Sequence, residues 1–166
     1  MTVAGEKWVG AHVALGANLG DAAHTLHAAL DALAQVPGVR LQKTSSLYRT
    51  APVDSSGPDY VNAVAEIATR LAPHDLLSAL QAIENAHGRE RPYLNAPRTL
   101  DLDVLLYGPL TIDTPTLTIP HPRMWQRAFV VVPLAEIAPH LVTADMLKAV
   151  ADQRIERLSV RPLNQG

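Results

Sequence analysis

The spacing of apolar residues switches from a period of two to a helical period and back along the first two thirds of the chain. That succession limits the possible folds more than any other property of the sequence. From Trp8 to Leu15, Val9, Ala11, Val13 and Leu15 alternate with Trp8, Gly10, His12 and Ala14, the pattern of a half-buried strand. Gly16-Ala17-Asn18-Leu19-Gly20-Asp21 reads as a turn-rich connection, and Asp21 is placed to cap a helix over residues 22–35. Leu26, Leu30 and Leu33 share one face of that helix, and Pro37-Gly38 stops it. A second strand is predicted from Val39 to Tyr48, then an exposed loop from Ala51 to Asp59. The next strand starts at Tyr60, with Val61, Ala63, Ala65 and Ile67 on one face and Tyr60, Asn62, Val64 and Glu66 on the other. Pro73 opens a second helix whose stripe is Leu76, Leu80 and Ile83, with Gly88 as its stop. A loop from Arg89 to Arg98 precedes a strand at Leu100 to Leu106.

Strand, helix, strand, strand, helix, strand is the order of an α+β sandwich of the ferredoxin-like kind, with helices on one face of a mainly antiparallel sheet. The other face is expected to be free to carry a site. Beyond Gly108, prolines at 109, 115, 120, 122, 133 and 139 are expected to leave only short strands and turns before a short helix near Ala144 to Ala151. With 166 residues, a single domain over 1–166 is expected. Pro162 to Gly166 should fray.

Composition removes several classes of function. There is no cysteine, so disulfides, thiolate metal sites and thiol nucleophiles are excluded. The formal charge of −2 lacks the basic excess of a general nucleic-acid binder. No apolar run approaches the roughly 20 residues of a membrane span, and no signal peptide is evident, so a soluble cytoplasmic protein is expected. Only seven residues are aromatic and Phe129 is the single phenylalanine, so the core must be mostly aliphatic.

Arg98-Thr-Leu-Asp101-Leu-Asp103-Val-Leu-Leu106 carries the most chemistry. On a strand, Leu100, Leu102, Val104 and Leu106 would enter the core while Asp101 and Asp103 project together from the opposite face, Cα atoms about 7 Å apart. Two converging carboxylates repel and call for a cation. Hard oxygen donors favour Mg²⁺, which takes one or two carboxylates plus water and phosphate oxygens. The same pair could instead be a solvated strand face matched by an arginine. Eleven of the 14 basic residues are arginine, and Arg89, Arg91, Arg98, Arg123 and Arg127 lie within 39 positions that contain no lysine. The planar guanidinium suits bidentate phosphate contacts, although pairing with Glu90 and Asp113 would also account for some of them. His121, between two prolines, is held in a restricted backbone suited to a phosphate hydrogen bond. A P-loop is absent.

Taken together, Ala14-Leu-Gly-Ala-Asn18-Leu-Gly-Asp21, Ser45-Ser-Leu-Tyr48-Arg-Thr50, Pro58-Asp-Tyr60-Val-Asn62-Ala63, Ile83-Glu84 to Gly88-Arg89, Ala96-Pro-Arg98-Thr-Leu-Asp101-Leu-Asp103 and Ile119-Pro-His121-Pro-Arg123 to Arg127-Ala-Phe129 occur in one order. This order closely resembles the 6-hydroxymethyl-7,8-dihydropterin pyrophosphokinases of folate biosynthesis, over roughly Val9 to Pro139. The resemblance implies transfer of the β,γ-diphosphate of ATP to the hydroxymethyl group of the pterin, leaving AMP. It implies that Asp101 and Asp103 hold two Mg²⁺ ions and that Arg89 and Arg98 share in catalysis. Gln81, Glu84, Arg89, Arg91, Arg98, Val104, Thr118, His121 and Arg127 match positions around the nucleotide. Tyr60 and Phe129 match rings that sandwich the pterin, Asn62 reads its hydrogen-bonding edge, and main-chain groups near Thr50 and Val53 complete that edge. The loops Ala51 to Asp59 and Arg89 to Ala96 are expected to close over bound substrates.

Departures from the family pattern are Ala17 for a common Ser, Ala51 for a common Pro, and Leu94-Asn95-Ala96 for an aromatic-glycine arrangement. A monomer that binds neither nucleic acid nor membrane is expected. Two other readings of the residues are a Mg²⁺-dependent phosphohydrolase or nuclease, and a non-catalytic ferredoxin-like module that binds RNA on its open face. The aspartate pair on that face would repel an RNA backbone unless metal intervened, and aromatic RNA-binding motifs are absent.

Overall fold

The computed structural model describes residues 7–18, 21–51, 59–87 and 100–158. Within these, strand β1 (Val9–Ala17) leads to helix α1 (Ala22–Gln35), then to β2 (Val39–Thr44), β3 (Tyr48–Thr50) and β4 (Tyr60–Thr69). Helix α2 (Pro73–His87) precedes β5 (Leu100–Tyr107). All pairings are antiparallel, in the order β5, β1, β4, with β2 and β3 side by side along β4. This is the ferredoxin-like topology expected from the order of elements.

Local chemistry explains the helix ends. The Asp21 Oδ1 accepts the His24 N–H at 3.1 Å, satisfying one of the unpaired donors at the start of α1. Gly38 sits at φ +87°, where a side chain would also meet Leu71 at 3.2 Å. Leu26, Ala29, Leu30 and Leu33 of α1 and Leu76, Leu80 and Ile83 of α2 pack on Ala11, Val13, Leu15, Ala63, Ala65, Ile67, Leu100, Leu102 and Val104 of the sheet. Burial of this much aliphatic surface is the main driving force for the fold.

Four sequence expectations need correction. The predicted strand Val39 to Tyr48 is two strands, because Ser45 leaves the ladder: its Oγ accepts the Val64 N–H at 2.9 Å while its own N–H donates to the Val64 carbonyl. Strand β1 runs on through Gly16 and Ala17, so Gly16 belongs to the sheet and not to a turn. Leu106 does not join the α1 and α2 core. The register on β1 shifts between His12 and Val13, so that Leu105 and Leu106 both face the second layer and Tyr107 returns to the first.

The largest correction lies beyond Gly108. Short strands β6 (Ile112–Asp113) and β7 (Thr118–Ile119) and a 3-10 turn at Met124–Gln126 are followed by helix α3 (Ala128–Ile137), then α4 (Ala144–Ala149) and strand β8 (Ile155–Arg157) on the free edge of β3. Pro133 lies inside α3. It has no N–H to give to the Phe129 carbonyl, yet the helix holds because Ala128, Val130, Val131, Pro133, Leu134 and Ile137 are all buried. Val130, Leu134 and Ile137 pack with Met124, Val64 and Leu105 against the second face of the sheet. That face is therefore only partly open. Among the described residues no helix is long and apolar enough to cross a membrane.

Glu136 fastens α3 to the sheet. Its carboxylate accepts the Ser46 N–H and hydroxyl, the Tyr48 hydroxyl at 2.7 Å, and an ion pair from Arg157 at 3.5 Å. Partial burial alone would raise its pKa, but the Tyr48 and Ser46 hydrogen bonds and the Arg157 charge together hold it below the usual value. The Tyr48 hydroxyl is pushed well above its ordinary value by burial and by Glu136, so it stays a neutral donor.

Candidate active site

Where α3 ends its cover of the second face, a cavity of about 570 Å³ opens. Strand register builds its floor. Asp101 of β5 pairs with Gly16 of β1, which pairs with Asn62 of β4; one step along, Asp103 pairs with Ala14, which pairs with Val64. At about 4.8 Å between strands, the backbone positions of Asp101 and Asn62 lie roughly 10 Å apart. Only Gly16 and Ala14 stand between them, so small side chains leave the room.

Asn62 is 6% exposed and fixed in orientation. Its Oδ1 accepts the Thr50 hydroxyl at 2.6 Å, and a Cβ at position 16 would lie 2.8 Å from its Nδ2. Thr50 therefore contributes its side chain and not only its backbone, with β3 supplying the position opposite Tyr60. Tyr60 lines one side of the cavity and Phe129, in the first turn of α3, another. The Arg127 guanidinium carbon is 5.3 Å from the centre of the Phe129 ring, so a cation sits beside the aromatic wall.

The cavity gathers Thr50, Tyr60, Asn62, Asp101, Asp103, Arg127 and Phe129 from four separate stretches of sequence. Other expected residues lie elsewhere. Val104 points into the main core, so only its backbone is available to a ligand. Gln81 is exposed on α2, and Thr118 is half-buried on β7. Glu84 is 5% exposed and accepts the Leu102 N–H at 2.7 Å, holding β5 between the two aspartates. Val53, Arg89, Arg91 and Arg98, and most of both expected closing loops, lie outside the described residues.

His121 is pinned by its N–H to the Leu105 carbonyl, and its Nδ1 accepts the Arg123 N–H at 3.2 Å. The neutral ring then carries its proton on Nε2. Burial lowers the His121 pKa; Asp103 opposes the shift, while Arg127 and Arg123 reinforce it. His121 is thus an uncharged donor near neutrality, close to one carboxylate and two guanidinium groups.

The donor set suits Mg²⁺. Among the described residues no group of three or more His, Cys, Asp or Glu could form a closed metal cage. Two carboxylates on one strand face, open to a cavity, leave coordination positions for water and phosphate oxygens, as Mg²⁺ requires. Ala14, Gly16, Gln126 and Gln153 also line the cavity and were not expected to. For Gly16 the signal was present, since continuing the alternation past Leu15 puts it on the Ala14 face. Gln126 and Gln153 carry none.

The family model described as 7,8-dihydro-6-hydroxymethylpterin-pyrophosphokinase matches residues 12–139. The chain belongs to this pyrophosphokinase family. A 2-amino-4-hydroxy-6-hydroxymethyldihydropteridine pyrophosphokinase of Haemophilus influenzae is 47% identical over 156 residues, 90% of this chain and 98% of that protein. One from Pseudomonas aeruginosa is 47% identical over 154 residues, covering 89% and 95%. The pyrophosphokinase fold is also seen in a solved Plasmodium falciparum HPPK-DHPS structure. It is 15% identical, has a TM-score of 0.64, and matches 78% of this chain and 41% of that one.

Proposed function

We infer that this member of the pyrophosphokinase family transfers the β,γ-diphosphate of ATP to the hydroxymethyl oxygen of 6-hydroxymethyl-7,8-dihydropterin, in folate biosynthesis. The observation that carries the reading is the sharing of one cavity floor by the Asp101 and Asp103 pair and the oriented Asn62 amide, with Tyr60 and Phe129 at its sides. In the reaction the alcohol oxygen forms a bond to the β-phosphorus, the bond between that phosphorus and the α,β-bridging oxygen breaks, and AMP leaves with the electron pair. The hydroxyl proton is released.

Asn62 offers a fixed amide to the pterin edge, because Thr50 holds its oxygen and Gly16 leaves its nitrogen room. Tyr60 and Phe129 supply flat apolar surface for a planar heterocycle. Arg127 and the Nε2–H of His121 supply donors for phosphate oxygens. We propose that Asp101 and Asp103 hold two Mg²⁺ ions. Mg²⁺ held there would neutralise phosphate charge, and such transfers depend chiefly on alignment and neutralisation. No dedicated general base is then required. Arg89, Arg91 and Arg98 are proposed as further phosphate contacts on the family pattern.

A steady-state assay tests the reading. Turnover should require ATP, Mg²⁺ and the hydroxymethyl dihydropterin together. ATP consumed at the same rate without pterin would instead favour a phosphohydrolase.

A further inference from the structure

We propose that Gln153, in the turn between α4 and β8, is a positioning residue that sets Arg127 and Phe129 at the cavity. The inference rests on the functional reading above and adds to it a residue beyond the stretch matched by the family model, which ends at 139. The Gln153 Nε2 donates to the Gln126 carbonyl at 2.8 Å, and its Oε1 accepts the Ala128 N–H at 2.8 Å. One amide thereby brackets Arg127 on both sides. The bracket closes a gap in the helix. Arg127 is the N-cap of α3 but makes no side-chain capping bond, so the Ala128 N–H would lack a partner within the helix. Gln153 supplies that partner from a distant part of the chain.

The consequence reaches both walls. Phe129 follows Ala128 directly, and the Arg127 guanidinium lies beside its ring. Two residues after Gln153, β8 begins, and Ile155 pairs with Thr50, whose hydroxyl orients Asn62. The turn from Val150 to Ile155 therefore ties the helical wall, which holds the ring and a phosphate-directed cation, to the sheet wall, which reads the pterin. Gln153 itself lines the cavity.

Two readouts separate positioning from simple stability and from the assignment of activity. The first needs no substrate. In Gln153→Leu the Ala128 amide should exchange its hydrogen faster than in the wild type, while Gln153→Glu, which keeps an acceptor, should retain more of the protection. The second is kinetic. Gln153→Leu should raise the KM for the pterin and lower kcat, together by about ten- to a hundredfold in kcat/KM, as expected for slight misplacement of site groups. Leu33→Ala serves as the comparison, because Leu33 is fully buried in the α1 and α2 core on the other face of the sheet and touches neither the bracket nor the cavity. It should lower Tm yet leave KM near the wild-type value. Unchanged Ala128 exchange in Gln153→Leu, or equal KM changes in the two variants at matched Tm loss, would overturn the proposal. A wild type inactive on the pterin would overturn the functional reading alone, leaving the exchange result to decide the bracket.

Discussion

The two faces of the sheet come from the same alternation but do different work. Toward α1 and α2, Leu100, Leu102 and Val104 meet a layer made mostly of aliphatic side chains. Away from it, Asp101 and Asp103 on the same strand meet a cavity, and the neighbouring strands contribute Gly16, Ala14 and Asn62. Helix α3 divides this second face, packing Val64 and Leu105 at one end and leaving the other end open. A half-covered face lets a small protein carry a polar site beside a core, since substitutions on the two sides of one strand have separable effects.

The two sides of β5 can be changed independently, one residue apart. Asp101→Ala or Asp103→Ala should lower turnover by about a thousandfold or more while leaving Tm near the wild-type value, because neither side chain packs in the core. Leu102→Ala should do the reverse. It should cost about 2–5 kcal/mol of stability by leaving a cavity under the sheet, measurable by denaturant unfolding, with KM little changed in the protein that remains folded. Equal losses of stability on both sides would remove the distinction between the faces.

Smaller effects sharpen it. Phe129→Ala should weaken pterin binding by about 1–3 kcal/mol, the usual worth of stacking a flat base on a ring, read by titration with the pterin. Gly16→Ala should also raise the pterin Kd, by less, because the new methyl meets Asn62 Nδ2 while Thr50 still holds the amide oxygen. The smallest effect concerns how α3 is fastened. Glu136 has its pKa held below the ordinary 4.5, so its contribution to stability is complete above that value and is lost as pH falls through the lowered one. Glu136→Gln should therefore flatten the acid limb of the stability curve below about pH 4.5, checked by urea unfolding at several pH values.

How much of this was legible depends on which physical signal each region carries. Most of the elements from Val9 to Tyr107 follow from period and punctuation, because their aliphatic residues mark the face turned to the α1 and α2 core, whereas the break at Ser45 between β2 and β3 leaves no mark in the period. Asp101 and Asp103 were legible from the same period. Helix α3 was not: buried on almost every side, it has no polar face to give a helical period, and Pro133 argues locally against a helix that packing on two sides permits. The shift of phase at Leu105 and Leu106 arises from pairing with β1, which a single strand's pattern does not contain. Gln153 is a lone polar residue in a turn, and its role exists only through the Gln126 and Ala128 backbone it meets. Tyr60 and Phe129 lie between these cases. Their scarcity singled them out, and the resemblance supplied their role.

In the inferred reaction the two terminal phosphates of ATP move as one unit. That transfer is tested most directly by following label from the α- and γ-positions of ATP in the presence of Mg²⁺ and 6-hydroxymethyl-7,8-dihydropterin. α-Label should appear in AMP and γ-label in a dihydropterin diphosphate, in equal amounts; α-label in ADP, or γ-label released as inorganic phosphate, would show a different transfer.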